Sequence, residues 1–121
     1  MSALKDQLQS DLTDAIRAQD ELTMATLRMA LAAITNAEVS GKEARELSDD
    51  EVVVVLTSEA KKRREAAESF DDGGATDRAD RERAELGVLQ RYLPEQLSEA
   101  EIKQIVADAV AAAAADGKTG P

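Results

Sequence analysis

The sequence predicts an all-α fold, and three features of its composition point that way. Aromatic residues make up only 2% of the 121-residue chain, so its core must be built from Leu, Val, Ile, Met and Ala, which pack well between helices. Gly and Pro number only 6 and 2, which leaves long uninterrupted segments. Charged residues reach 33%, and many of them recur at helical spacing, so we expect a bundle of about five helices.

The first two helices are predicted from apolar residues that recur every three or four positions. The row in helix one, over about residues 3–19, consists of Leu4, Leu8, Leu12 and Ile16. Asp20 is a favoured N-cap residue and predicts the start of helix two. The row in helix two consists of Leu27, Ala30, Leu31 and Ile34. Residues 39–46 are polar, contain a glycine and predict a loop.

Helix three has the clearest start signal in the chain. In LSDDEV, Ser48 is placed to cap the helix and Glu51, three residues later, to return a hydrogen bond to the cap. The run VVVV that follows is β-branched and is also compatible with a strand, but the capping box before it and the helical spacing after it favour a helix. The helix is expected to run to about Asp71, because the pair Gly73 and Gly74 interrupts it.

Two more helices are expected before the end of the chain. Helix four covers about residues 77–92 and is ended by Pro94. Its apolar side consists of Ala79, Leu86, Leu89 and Leu93. The segment LSEAEI repeats the capping signature, so a fifth helix is predicted to start at Ser98 and to fade near Gly117.

Composition also excludes several classes of function. The chain has no cysteine and no histidine, which excludes disulfides, thiolate metal sites, a Cys nucleophile and a His general base. We expect no metal site and no cofactor. The N-terminus is charged throughout and no apolar run is long enough for a membrane span, so a soluble, cytoplasmic protein without a membrane partner is expected. A net charge of -10 disfavours nonspecific binding to nucleic acid.

The only run of four basic residues, KKRR, cannot form one patch, because four consecutive residues go right round a helix. Lys61, Lys62 and Arg64 are expected to point outward, either as solvated charges or as contacts for a nucleic acid or a partner protein. Arg63 falls inside the apolar stripe, and Glu59 precedes it by four residues. The pair is interpreted as a partly buried ion pair that fixes helix packing. In the alternative interpretation, Arg63 presents its guanidinium to a phosphate or carboxylate between helices.

Three further charged residues intrude on apolar faces. Glu38 lies on the apolar side of helix two, Arg28 borders it, and Glu82 lies near Leu86 on helix four. We expect these side chains to pair with Arg63 or with one another. Paired carboxylates can also do acid–base or metal chemistry, but no motif fixes their geometry here, so ion-paired packing is the preferred interpretation.

Three segments together resemble the GatB/YqeY family of bacterial and organellar proteins. They are TLRMALAAITNAE (26–38), LSDDEVVVVLTSEAKKRREAAESF (47–70) and AELGVLQRYLPEQLSEAEI (84–102). The resemblance covers nearly the whole chain in order, and RYLPEQLS combined with the upstream KKRRE…F is its most specific part. It identifies the chain as a stand-alone YqeY-like protein, similar to the tail domain of the amidotransferase B subunit.

The resemblance implies a two-part, all-α module. Residues 1–97 would form the N-terminal helical bundle. Residues 98–121 would form the fifth helix and the start of a small C-terminal helical subdomain, which is expected to be truncated or missing here. The related tail domain is thought to help hold tRNA while other domains carry out amidation, with glutamine as amido donor. Stand-alone members carry an amidotransferase-type carbon–nitrogen ligase label through that kinship.

Two functions therefore stand as expectations. The first is an accessory module linked to tRNA-dependent amidotransferase biology and acting as a tRNA-associated helper, although the acidic charge argues against tRNA. The alternative is a helical adaptor that binds an amidotransferase or another translation-associated protein, with Val54, Val88 and Met29 as exposed apolar contacts. Catalysis by the chain alone is not expected, because the sequence offers no nucleotide-binding motif and no activated nucleophile. The pattern does not predict an oligomeric state.

Overall fold

The computed structural model describes residues 2–41, 43–94, 103–104 and 107–108. Four α-helices account for most of them: α1 (Ala3–Ala18), α2 (Glu21–Val39), α3 (Asp49–Asp72) and α4 (Thr76–Gln90). These described residues contain no strand, so the all-α prediction is confirmed and the valine run lies inside α3. The helix predicted to start at Ser98 lies outside the described residues, apart from residues 103–104 and 107–108, which are helical.

The predicted helix starts are formed by short-range hydrogen bonds. The Ser48 hydroxyl accepts from the Glu51 backbone N–H at 3.3 Å, and the Glu51 carboxylate accepts from the Ser48 backbone N–H at 3.1 Å, which completes the capping box of α3. The Asp20 carboxylate accepts from the Thr23 backbone N–H at 3.1 Å and caps α2. Gly74, at φ 79°, lies in the turn between α3 and α4, where a side chain would be strained.

The start of α1 is capped from two sides. The Ser2 hydroxyl accepts from the Lys5 backbone N–H at 3.0 Å, as a local N-cap. That hydroxyl also donates to the Asp49 carboxylate at 2.6 Å, and the Leu4 backbone N–H donates to the same carboxylate oxygen at 3.1 Å. Asp49 is the first residue of α3, so a side chain in the first turn of α3 caps the first turn of α1.

Helices α2 and α3 lie at the centre of the bundle, since each of them packs on all three other helices. Helices α3 and α4 form an antiparallel hairpin with the most extensive contact, and α1 packs on α2 and α3. Within the described residues, α1 and α4 do not pack against each other. The largest fully buried apolar side chains are Leu8, Leu27, Ile34, Val52, Leu56, Val88 and Leu89. One side of α1 is therefore not covered by α4 in the part of the chain that the structure describes.

Two apolar residues are buried differently from the sequence-based expectation. Ile16, predicted to join the core row of α1, is 46% exposed, whereas Ala15 is buried. An i, i+4 row drifts round an α-helix by about 40° at each step, so Ile16 is turned about 120° away from Leu4. Val88 was predicted to be exposed, but only 1% of its surface is accessible to solvent. Helix α4 packs on both α2 and α3, so it buries residues on more than one side of its surface. That prediction for Val88 was wrong.

Val54 and Met29, the other two predicted surface contacts, are half-buried rather than open to solvent. Val54 lies on α3, which has α1, α2 and α4 around it, so its outer side is partly covered. The Met29 thioether lies against the Arg63 guanidinium. Neither residue is the free apolar contact that the adaptor interpretation expected.

Candidate functional site

Three of the inward polar residues singled out in the sequence, Glu59, Arg63 and Glu82, meet at the contact between α3 and α4, and Glu85, which was not anticipated, joins them. Glu59 lies one turn before Arg63 on α3, and its carboxylate Oε1 is 3.3 Å from Arg63 Nη2. From α4, Glu82 Oε2 lies 3.7 Å from Nη1 and Glu85 Oε1 lies 4.0 Å from Nε. We call these four residues the Arg63 cluster.

The Arg63 cluster is largely removed from solvent. The side chain of Glu59 is 8% exposed, that of Arg63 17%, and those of Glu82 and Glu85 18% and 14%. Met29 of α2 closes one side of the guanidinium through its sulfur atom. Charges this far from water attract more strongly than surface charges, but each carries a desolvation cost that only its partners offset.

The cluster is extended outward by two exposed cations. Lys62 donates to Glu59 Oε2 at 3.1 Å, and its side chain is mostly exposed. Arg81 Nε lies 3.5 Å from Glu85 Oε2, and the guanidinium of Arg81 also donates to the Glu21 carboxylate at 2.8 and 3.0 Å. Hydrogen bonding from Arg81 lowers the pKa of Glu21, and the same pair raises the pKa of Arg81. The network thus links the start of α2 to α4.

Hydrogen bonding within the cluster is incomplete. Although both atoms are buried, Arg63 Nε and Glu82 Oε2 have no hydrogen-bond partner among the described residues. The ionic contacts of 3.7 and 4.0 Å are too long for direct hydrogen bonds. Three carboxylates surround one guanidinium, so a phosphate or carboxylate ligand would add negative charge to a position that already holds an excess of it. The arrangement fits interhelical packing better than anion binding.

Of the other inward polar residues, two lie elsewhere. The Glu38 carboxylate accepts from Lys5 Nζ at 2.8 Å and from the Leu47 backbone N–H at 3.2 Å, at the opposite end of α2 from Glu21. Hydrogen bonding to Lys5, and then to Leu47, lowers the pKa of Glu38. Arg28 is exposed on α2. The structure therefore brings Glu59, Arg63 and Glu82 together and separates Glu38 and Arg28 from them.

The three candidate surface contacts, Lys61, Lys62 and Arg64, are all exposed on α3. Lys61 lies 3.7 Å from Glu65, one turn later, and Lys62 is engaged by Glu59. Acidic side chains are therefore interleaved with these cations. A continuous basic surface, such as a phosphate backbone requires, is not present at this face of α3.

A second polar feature was not anticipated from the sequence. The Tyr92 hydroxyl donates to Asp11 Oδ2 at 2.6 Å and joins the segment after α4 to the middle of α1. Burial, followed by the hydrogen bond to Asp11, raises the pKa of Tyr92. The two residues are 81 positions apart, so no local pattern predicts the contact. The only available signal was that this is the one tyrosine of the chain.

Two classes of site find no support in the described part of the chain. No group of three or more Asp and Glu side chains there is arranged to hold a metal ion. None of its helices combines the length and the hydropathy that a membrane span needs.

Comparison with known proteins gives one match. The family model described as Yqey-like protein matches residues 5–120, nearly the full length of the chain. A search of curated proteins finds no significant match.

Proposed function

The chain belongs to the YqeY-like protein family, and from this premise we propose that it is an accessory module linked to tRNA-dependent amidotransferase biology. In this proposal the module acts by binding another protein, and amidation is carried out elsewhere. The link to amidation rests on the resemblance of the family to the tail domain of the amidotransferase B subunit. The mode of action rests on the residues of the chain itself.

The observation that carries the binding role is the environment of Arg63. Arg63 is the one residue of KKRR whose side chain points into the bundle. Its guanidinium forms ion pairs with Glu59, Glu82 and Glu85 of the same chain. A side chain engaged in this way stabilises packing and is not free to hold a substrate. The function is then carried by the surface of the bundle, which in a chain of net charge -10 is predominantly acidic.

A reconstitution tests this proposal. The full chain is mixed with a purified tRNA-dependent amidotransferase and mischarged Glu-tRNA, and complex formation and the amidation rate are both measured. We expect the chain to co-migrate with the amidotransferase and to produce no amidation when the enzyme is left out. Two results would contradict the proposal: the absence of any complex, or glutamine- and ATP-dependent amidation by the chain alone.

A direct tRNA contact is the second candidate, favoured by the exposure of Lys61, Lys62 and Arg64 within one turn of α3. A gel shift with charged and uncharged tRNA at low salt tests it. If these residues bind phosphate, the alanine variants should weaken binding and flatten its salt dependence. Arg17 supplies the control, because it is an exposed cation on α1 and Arg17→Ala removes the same charge. The absence of a shift at low salt rules this candidate out.

A further inference from the structure

A groove of about 740 Å³ lies along a side of α1 on which none of the other three described helices packs. It runs between α1, the start of α2 and the segment that follows α4. The size is within the usual range of binding clefts, roughly 300–1,000 Å³. The groove is open to solvent and is formed by residues of three segments, not by one helix alone.

The floor of the groove is apolar and its geometry is fixed. Leu4, Ala15 and Ala18 of α1 line it, and the two alanines leave room because their side chains are small. The Tyr92 ring forms the facing wall. The hydrogen bond from Tyr92 to Asp11 holds that wall against α1. This hydrogen bond limits the movement of Tyr92 relative to α1, which reduces the entropy that binding must overcome at this wall.

The rim of the groove is acidic. Among the described residues that line it, Asp11, Asp14 and Asp20 are acidic and Arg91 is the one cation. Asp20 stays ionised, because hydrogen bonds from the Thr23 side chain and backbone lower its pKa. Asp14 is exposed, and its carboxylate forms no hydrogen bond or ion pair with another described residue. Asp14 is thus available to an incoming cation.

We propose that this groove is the docking site for a basic amphipathic helix of a partner protein. The inference rests on the proposed binding function and adds the surface and the chemistry of the partner. Apolar side chains of the incoming helix contact the surface formed by Leu4, Ala18 and Tyr92. Its Lys or Arg side chains reach Asp14 and Asp20 on the rim, the arrangement typical of a helix bound in a groove.

Charge complementarity selects this occupant over a second copy of the chain. A chain of net charge -10 that presents an acidic rim is repelled by the same rim of another copy. A nucleic acid is disfavoured for the same reason, since its phosphates would face three carboxylates. A basic amphipathic helix, by contrast, is attracted to the acidic rim and buries its apolar side chains against the floor of the groove.

The test uses the full chain and two synthetic helical peptides without aromatic residues, one built from Lys and Leu and one from Glu and Leu. Tyr92 is the only tyrosine and the chain has no tryptophan, so tyrosine fluorescence reports on the wall of the groove. Binding is followed at physiological salt by this signal and by the anisotropy of labelled peptide. We expect the Lys–Leu peptide to bind saturably and to change Tyr92 fluorescence, and the Glu–Leu peptide to do neither.

Two charge reversals locate the site. Asp14→Lys should weaken binding of the Lys–Leu peptide by about tenfold or more. Glu68→Lys makes the same charge change at an exposed position near the far end of α3 and should alter affinity by no more than about twofold, because salt screens distant charges. Circular dichroism confirms that both variants keep the helical content of the parent.

Three results would overturn the inference: no saturable binding of the Lys–Leu peptide, equal weakening by both reversals, or the same fluorescence change with spermidine, which carries charge but no apolar side chains. A change in sedimentation showing that the chain self-associates through Asp14 would also overturn it. These outcomes are separate from the reconstitution with amidotransferase, which detects association through any surface of the chain.

Discussion

Arg63 on α3 and Glu82 on α4 face each other across the helical hairpin, with Nη1 3.7 Å from Oε2 and both side chains largely buried. Glu59 supplies the local partner of Arg63 and Glu82 the partner from the neighbouring helix. We therefore propose that this ion pair helps to fix how α3 packs on α4, since buried polar groups can favour one packing arrangement over others. This role differs from ligand recognition and can be separated from it by experiment.

The Asp49 carboxylate caps the first turn of α1, so Asp49→Ala should destabilise the chain, because the charged acceptor of two hydrogen bonds is lost. The variant leaves the Ser2 hydroxyl and the Leu4 backbone N–H without this acceptor. Urea unfolding measures the effect, and amide exchange should accelerate in the first turn of α1. Asp50→Ala is the matched control, since Asp50 is exposed in the same turn of α3. Equal losses in both variants would show that only the helix dipole is involved.

Stability should depend on the ionisation of Glu51. Hydrogen bonding from Arg45 is the largest effect on its carboxyl, and together with hydrogen bonds from Ser48 it lowers the pKa of Glu51 to about 2. A depressed folded-state pKa stabilises the fold above the unfolded value of 4.5, and that stabilisation is lost as the pH falls toward 2.

Glu51→Gln keeps a side chain suited to the capping box and removes the charge. The parent should therefore melt at a higher temperature than this variant at pH 6, and the difference should shrink as the pH approaches 2. Thermal melts at several pH values measure it. Glu43→Gln, at an exposed position in the preceding loop, removes the same charge outside the capping box and should change the melting temperature little. A constant gap for Glu51→Gln would contradict the assignment.

The phenol of Tyr92 should titrate above its ordinary pKa of about 10, because burial and the Asp11 carboxylate disfavour the phenolate. The chain has one tyrosine and no tryptophan, so alkaline difference absorbance reads this residue alone. Asp11→Asn should move the titration midpoint downward, and unfolding in urea should return it to the ordinary value. A midpoint near 10 in the folded parent would show that the hydroxyl is not held by Asp11.

Gln19 ends α1 in the left-handed conformation, at φ 57°, where glycine is the favoured residue. Gln19→Gly should therefore stabilise the chain by about 0.5–1 kcal/mol, the strain relieved less the added freedom of the unfolded chain. Gln9→Gly, at an exposed position in the middle of α1, is the control and should destabilise by about 1 kcal/mol. Chemical unfolding separates the two. A loss of stability in Gln19→Gly would contradict the left-handed cap.

The sequence predicts those structural features that depend on residues close together along the chain. The caps of α2 and α3 were predictable because donor and acceptor are three positions apart, as in Asp20 with Thr23 and Ser48 with Glu51. The inward position of Arg63 beside Glu59 follows from helical periodicity, since the pair is separated by one turn. In each case the number of residues between the two partners determines the distance between their side chains.

Contacts between distant segments were not predictable in the same way. Asp49 meets Ser2 across 47 positions and Tyr92 meets Asp11 across 81, and both pairs exist only once the helices are packed. Glu38 shows the same limit: its place on an apolar face was visible, but its partner, Lys5, is set by where α1 begins relative to the end of α2. The groove beside α1 likewise depends on which helices fail to meet.

The most direct test of the account is the unfolding free energy of Arg63→Ala, measured in urea beside that of Arg64→Ala. Removing Arg63 leaves three carboxylates close together with little access to water, so we expect a loss of about 2–4 kcal/mol. Removing the exposed neighbour should change stability by about 0.5 kcal/mol or less. We expect this difference in stability, with amidotransferase association unchanged in Arg63→Ala at temperatures where that variant is folded. Equal stability of parent and Arg63→Ala, together with lost association or lost tRNA binding, would contradict it.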